Sequence, residues 1–416
     1  MYEELYNYFT LNKILHPSLH GYRKNRSTLT ALLQMYDHWV QAAHQGQVSG
    51  AVLLDLSAAF DLVSHDILLK KLEIYGIDKD FLCWIESYLS SRYQGVWIDH
   101  VMSSFLPCDI GVPQGSNLGP LFFLLYVNDL PFTLSCEMEQ YADDSTLTAT
   151  GKTIKEVDDK LEVNCAVVSN WMEENQLKLN PGKTHIMTLG TDQRLSIPGN
   201  RVTVAMDGTV LEESPEECET MLGCIIQPNL KWSKQILELL KKLKKRFAGL
   251  AHLKYVLPYN LRKMVSEGLF NSVLGYCLPL FGGCNVGEIK DLQVLQNKAA
   301  QMVTHSPPRS IRNQMYDELD WLTVNQLIQY FTLLAVFRIR LSGEPEYLAA
   351  TMCNDNRNGR IIVQNTNLSL LKRSFVVRGP CNWNTLPTCI RSIKKIGPFK
   401  KAIRSWIKEN VPRFPD

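Results

Sequence analysis

The sequence predicts an α+β fold. Three observations carry that expectation. Between residues 50 and 190, strand-like and helix-like stretches intermingle without regular βαβ alternation. The strand-like stretches are short, and two of them read as hairpins. Beyond about residue 230 the patterns turn helical. The first region therefore reads as helices packed on an antiparallel sheet. A length of 416 residues allows two or three domains and a sizeable core. With 45% hydrophobic and 21% charged residues the composition is globular, and a formal charge of +2 gives no global field, so any nucleic-acid signal must be local. The start, "MYEELYNYFTLNKIL", is mixed and acidic and unlike a signal peptide. The longest apolar run, residues 118–127, is too short to span a bilayer. The expectation is a soluble intracellular protein with no membrane partner. Its 11 cysteines are scattered without a CxxC pair, which argues against a zinc site or a disulfide framework.

Taken in order, residues 29–45 read as a helix after the basic loop "HGYRKNRST". Residues 51–56 form a short buried strand bounded by Gly50. "SHDILLKKLEIYGI" opens on Ser64 as N-cap and closes at Gly76, and "KDFLCWIESYLSSR" is a second helix. "QGVWIDHVMSSFLPCDIG" looks like a hairpin, and "GVPQGSNLGPLFFLLYVNDL" is a Gly/Pro loop entering a buried helix. "MEQYADDSTLTAT" reads as strand, tight turn, strand, with two acids at the turn. A long helix follows over "TIKEVDDKLEVNCAVVSNWMEENQL". Residues 231–250 form a basic amphipathic helix, its cations within 231–246, with Ile236, Leu239, Leu240, Leu243 and Phe247 on one side. Residues 351–367 are polar, rich in Asn, and read as a linker. A second basic amphipathic helix lies around Pro398.

The chemistry rests on three acids. Asp55 ends the buried strand, while Asp143 and Asp144 occupy the hairpin turn. Either feature alone is usually a cap or a turn. Together they allow carboxylates from separate strands to converge beside a glycine-rich loop. Adjacent carboxylates repel unless a cation lies between them. Mg²⁺ favours one or two carboxylates plus phosphate oxygens, and a pair of ions about 4 Å apart suits in-line phosphoryl displacement. Two Mg²⁺ ions, with Mn²⁺ as a substitute, and nucleotidyl transfer are the reading.

"LLDLSAAFD", "GVPQGSNLGPLFFLLYVNDL", "YADD", "LKLNPGKTHIMTLG" and "LGCIIQPNLKWSKQI" occur in that order. This set resembles the palm motifs of reverse transcriptases, most closely those of non-LTR (LINE-type, jockey and CR1-like) retrotransposons. "HGYRKNRSTLTAL" resembles the fingers segment before the palm, and "RGPCNWNTLP" the C-terminal end of such polyproteins. The resemblance implies a right-hand polymerase: partial fingers over 1–49, palm over 50–230, a helical thumb and connection over 231–350, a linker over 351–367 and a basic segment over 368–416. It implies an RNA-directed DNA polymerase using RNA template, DNA primer and dNTP, in nucleus and/or cytoplasm.

Residue by residue, the resemblance makes Asp55 and Asp143 metal ligands, with a backbone carbonyl from Leu56 and support from Asp144. Phe60 matches an aromatic gate that excludes a ribose 2′-OH; the alternative is a core phenylalanine. Gln114 and Gly115 match the loop facing nucleotide and template. Lys183 matches a lysine near the triphosphate, or is an exposed turn lysine. Arg23 would clamp phosphate, with Lys24 and Arg26 as solvated neighbours. Lys241, Lys242, Lys244, Lys245 and Arg246 on the basic helix would contact duplex phosphates, or form a solvated face. The family's preceding fingers motif, around Asn-Tyr-Arg-Pro-Ile, is absent, so the expectation is an N-terminally truncated enzyme, impaired by that loss and better at binding nucleic acid than at extending a primer. A nucleic-acid-binding remnant without catalysis, or a repurposed interaction protein, is the alternative.

Overall fold

The computed structural model describes residues 1–414 except 181, 207, 212, 214–217, 308–310, 354–358 and 367. Part of the expected linker, 354–358 and 367, therefore lies outside the described residues. The chain divides into two units: residues 1–31 with 46–217, and residues 32–45 with 218–416.

The elements of the first part of the chain are α1 (Tyr2–Leu11), α2 (Thr28–His44), β1 (Val48–Ser57), α3 (His65–Ile74), α4 (Lys79–Leu89), β2 (Tyr93–Gln94), β3 (Trp97–Ile98), β4 (Val101–Met102), β5 (Leu106–Pro107), α5 (Leu118–Tyr126), β6 (Glu137–Tyr141), β7 (Asp144–Gly151), α6 (Ile154–Glu174), β8 (Lys178–Leu179), β9 (His185–Leu189) and the short α7 (Asp192–Leu195). β1 is the axis of an antiparallel sheet: it pairs with β7 on one side and with β9 and β8 on the other, and β6 closes the hairpin with β7. The register runs from Val48 opposite Gly151 to Asp55 opposite Asp144. Because side chains alternate faces, this register decides which residues meet at the strand end. The region is α+β, as its irregular alternation predicts.

The core forms where the sheet meets its helices. α5 is apolar all round, and Leu121, Phe122, Phe123 and Leu125 are buried in it, each worth roughly 2 kcal/mol. Its C-terminal end is held by the buried Lys71, whose ammonium donates to the Tyr126 carbonyl and to the Asp129 carboxylate, both at 2.6 Å. Burial pulls the Lys71 pKa down, with Asp129 opposing. Ser64 does precede α3, but its side chain makes no cap hydrogen bond. β2–β5 and β3–β4 nest as the expected hairpin.

The second unit is mostly helical. After the hairpins β10 (Ala205–Met206) with β11 (Thr209–Val210), which belong to the first unit, and β12 (Glu219–Met221) with β13 (Cys224–Ile226), it contains α8 (Ser233–His252), α9 (Tyr259–Ser266), α10 (Ser272–Gly275), α11 (Leu278–Phe281), α12 (Val286–Thr304), α13 (Arg312–Leu319), α14 (Val324–Ser342), α15 (Glu346–Met352), α16 (Ser369–Arg373), α17 (Phe375–Thr385), α18 (Thr388–Arg391) and α19 (Ile396–Asn410). α14 is the centre: ten of its residues are buried, and α17 and α19 pack on it. Residues 32–45 join this unit through Tyr36, whose hydroxyl donates to the Leu230 carbonyl at 2.7 Å and whose ring lies against Trp232. The buried Asp37 accepts a hydrogen bond from Tyr347.

Candidate active site

The register of β1 and β7 puts Asp55 directly opposite Asp144, and Asp143 sits in the two-residue turn between β6 and β7. Three carboxylates thus gather at one end of the sheet. Asp143 is exposed, Asp144 reaches solvent but is partly enclosed by neighbouring residues, and Asp55 is half-buried. Partial burial of Asp144, then the charges of Asp143 and Asp55, raise the Asp144 pKa above the usual carboxylate value. That repulsion is what a divalent cation would relieve, so the donor set fits one.

The turn itself is propped from outside the sheet. Its first residue, Ala142, has a positive φ of 58°, a conformation that costs energy for alanine. Residues 18–20 lie along β6: Gln140 N–H donates to Ser18 O at 2.9 Å, and His20 N–H donates to Gln140 O at 2.8 Å. Gly21 then meets the turn so closely that a Cβ there would press into the Ala142 backbone. His20 anchors the same loop through its imidazole, 2.8 Å from the buried Glu139 carboxylate.

Arg23 belongs to this support. Its guanidinium donates to the carbonyls of His16 at 2.9 Å and Leu19 at 3.3 Å. Those bonds hold to the loop, through one of its nitrogens, the guanidinium that the motif makes a phosphate clamp. Arg26, expected to be solvated, is buried and donates to the carbonyls of Pro17 and Leu19. A guanidinium with five donors satisfies loop carbonyls that no strand can reach. Lys24 is exposed, as expected, and pairs with Glu3.

A second wall is built on the turn after β1. Phe60 is half-buried and stacks on Phe123 of α5, with ring centroids 4.6 Å apart. The exposed Tyr22 meets it edge-on at 6.0 Å. Burial raises the Tyr22 pKa, with the Asp143 charge adding to it. The "PQG" loop is latched to this turn. Gly111 N–H donates to Val63 O at 2.7 Å, Val112 N–H to Phe60 O at 2.9 Å, and the Gln114 amide to the Asp61 carboxylate at 3.0 Å. Gly115 takes a φ of +78° and has open space where a Cβ would stand.

On the opposite flank of β1, Asn180 N–H donates to Asp55 O at 2.8 Å. The Lys183 ammonium lies 3.8 Å from the Asp55 carboxylate and is largely exposed, so the pair is weak and the lysine can turn to another anion. Leu56 follows Asp55 in the strand with its side chain buried, opposite Leu179 of β8. The structure therefore assembles Asp55, Leu56, Asp143, Asp144, Phe60, Gln114, Gly115 and Lys183 within one unit. Lys241, Lys242, Lys244, Lys245 and Arg246 are exposed on α8 of the other unit. Arg246 donates to the Leu269 carbonyl at 3.2 Å, and Lys241 pairs with Glu238 at 3.5 Å.

Three contributors escaped the sequence reading: Gly21, Tyr22 and Asp61. Gly21 and Tyr22 stand in the quoted "HGYR" stretch, where the positive φ of Tyr22 and the missing Cβ of Gly21 acquire meaning only against residue 142. Asp61 follows Phe60 directly, but its partner is 53 residues away.

Residues 2–226 match the family described as reverse transcriptase (RNA-dependent DNA polymerase). A probable RNA-directed DNA polymerase from transposon BS of Drosophila melanogaster is 25% identical over 350 residues, covering 80% of this chain and 37% of that protein. The RNA-directed DNA polymerase from mobile element jockey of the same organism is 24% identical over 300 residues, covering 69% of this chain and 32% of that protein. The chain thus spans about a third of the length of these curated relatives. Among solved structures, a telomerase from Candida albicans in complex with a fragment of telomeric RNA aligns over 100% of this chain and 59% of that one, with 12% identity and a TM-score of 0.41. The family match covers more than half of the chain, including the entire carboxylate site, and this protein belongs to the reverse transcriptase family.

Proposed function

We propose that this chain acts as the RNA-directed DNA polymerase portion of a non-LTR retrotransposon protein, adding dNTP to a DNA primer on an RNA template. The observation that carries the reading is the register that sets Asp55 opposite Asp144, with Asp143 in the adjoining turn. Members of the family use divalent metal ions. Here Asp55 and Asp143, with the Leu56 carbonyl, would hold two Mg²⁺, or Mn²⁺ in their place. Bound there, the ions supply activation of the primer hydroxyl and charge neutralisation on the leaving pyrophosphate.

The protein's own groups have definable tasks. Asp144 adds negative charge beside the ligands. Phe60, fixed between Phe123 and Tyr22, presents a rigid ring toward the sugar and rejects a 2′-OH by contact. Gln114, oriented by Asp61, borders the nucleotide and template, and Gly115 leaves them room. Lys183 can exchange its weak contact with Asp55 for the triphosphate and give a proton to pyrophosphate. The exposed cations of α8 serve as a thumb that follows the product duplex by its phosphates. Such substrates put its work inside the cell, in nucleus, cytoplasm or both.

The test is extension of a DNA primer on an RNA template by residues 1–416 with Mg²⁺ and all four dNTPs. Weak template-dependent products are expected, lost on chelation. Salt-sensitive binding of the primer–template without any extension would instead favour a nucleic-acid-binding remnant.

A further inference from the structure

Charge is unevenly placed in this nearly neutral chain. Residues 356–408 contain twelve Lys and Arg and no Asp or Glu. The structure sorts these cations. On α19, Arg404 and Lys408 both reach the Asp320 carboxylate. Arg391 donates to the Asn384 carbonyl and the Thr388 hydroxyl, Arg373 to the Asn285 side chain, and Arg378 to the Arg373 and Pro279 carbonyls. Lys394, Lys395, Lys400 and Lys401 have no such partner among the described residues, and all four lie at the N-terminal end of α19. Lys394, Lys395 and Lys401 are exposed and Lys400 is half-buried. The helix adds its own positive end at the same place.

We propose that this end of α19 is a second nucleic-acid site, binding the phosphate backbone of a duplex independently of sequence. Four unpaired ammonium groups within eight residues, with no local acid to neutralise them, repel one another unless a polyanion covers them. The apolar face of the helix decides against a lipid surface. Phe399, Ile403 and Ile407 are fully buried, with Phe399 stacked on Phe337 at 4.0 Å, so no apolar stripe is free to enter a bilayer. Residues 388–395 contain no aromatic side chain, and the two on α19 are the buried Phe399 and the half-buried Trp406, more than a helical turn beyond Lys401, so no exposed ring stands beside the lysines to stack an unpaired base. Single strands are held largely by such stacking, whereas a duplex presents phosphates outward and hides its bases.

The test uses the full chain carrying Asp143→Asn, without dNTP, so that its outcome does not depend on polymerase activity. Fluorescence anisotropy follows a labelled duplex, a single strand of equal length, and phosphatidylserine vesicles from low to moderate salt. The variant replaces Lys394, Lys395, Lys400 and Lys401 by Gln, and its thermal midpoint is checked against the parent. The expected result is weaker duplex binding, with a logarithmic salt slope reduced by up to about 3.6, given roughly 0.9 for each of four lost phosphate contacts. Loss on the single strand should be smaller, and vesicle binding negligible for both proteins. Unchanged duplex affinity and slope in a folded variant would overturn the proposal. So would vesicle binding that the substitutions abolish while duplex binding survives.

Discussion

Asp144 carries a charge that its surroundings oppose. Partial burial, then Asp143 and Asp55, raise its pKa in the folded protein. The folded state therefore binds more protons than the unfolded one between the ordinary carboxylate value and the raised one. Stability falls as pH rises through that window, and at pH 7 the whole penalty is present. Asp144→Asn should raise the thermal midpoint at pH 7 without divalent ions, with the gain vanishing toward acid pH. It should also shrink the upward shift that Mg²⁺ gives the parent protein, since less charge attracts the ion. An unaltered midpoint together with a full Mg²⁺ shift would remove Asp144 from the cation cluster. Phe60 makes a separate prediction. Phe60→Val should raise rNTP use relative to dNTP by roughly tenfold or more, because the clash with a 2′-OH disappears while metal dependence stays. Steady-state incorporation of matched rNTP and dNTP measures this, and unchanged sugar discrimination would leave Phe60 with packing alone. Asp55, Asp143 and Phe60 were legible in sequence because each sits at a fixed offset inside a short motif. Asp61 and Tyr22 were not, because their partners come from other segments of the chain.

At the scale of elements, local grammar worked where one segment carries its own signals. β1 and α5 fall close to where their apolar runs place them, since buried elements have no polar alternation to confuse their ends. The basic helix runs from Ser233 to His252, two residues from the expected 231–250 at each end. The inward turn of Arg23 and Arg26 was not legible. Their acceptors are loop carbonyls, which any sequence presents. The loop at 16–22 makes its own prediction. Gly21→Ala would force its methyl against the backbone of Ala142, and the turn bearing Asp143 must move or the loop must detach. A destabilisation on the order of 1–3 kcal/mol is expected, with incorporation falling further than stability accounts for. Chemical denaturation and single-turnover rates measured on the same preparation check both parts. A fall in stability alone, at full incorporation rate, would show that the loop only packs against the turn.

For the molecule as a whole, the carboxylates, Phe60, the "PQG" loop and Lys183 lie in one unit, while the cations of α8 and α19 lie in the other. Membership of the units was only partly readable. Residues 32–45 group with residues 218–416 because Tyr36 and Asp37 find their partners there, and nothing in the local pattern of that helix announces it. The central claim is that Asp55 and Asp143 together hold the ions through which this chain adds nucleotides. Its most direct test is single-nucleotide incorporation on an RNA template in Mg²⁺ by the parent chain, Asp143→Asn and Asp159→Asn. Asp159 is an exposed acid on α6 and serves as a matched loss of charge. Asp143→Asn should lose incorporation by on the order of 10³-fold or more while binding primer–template as before, and Asp159→Asn should keep the parent's rate. Equal rates in all three proteins, or an equal loss in both variants, would contradict the account.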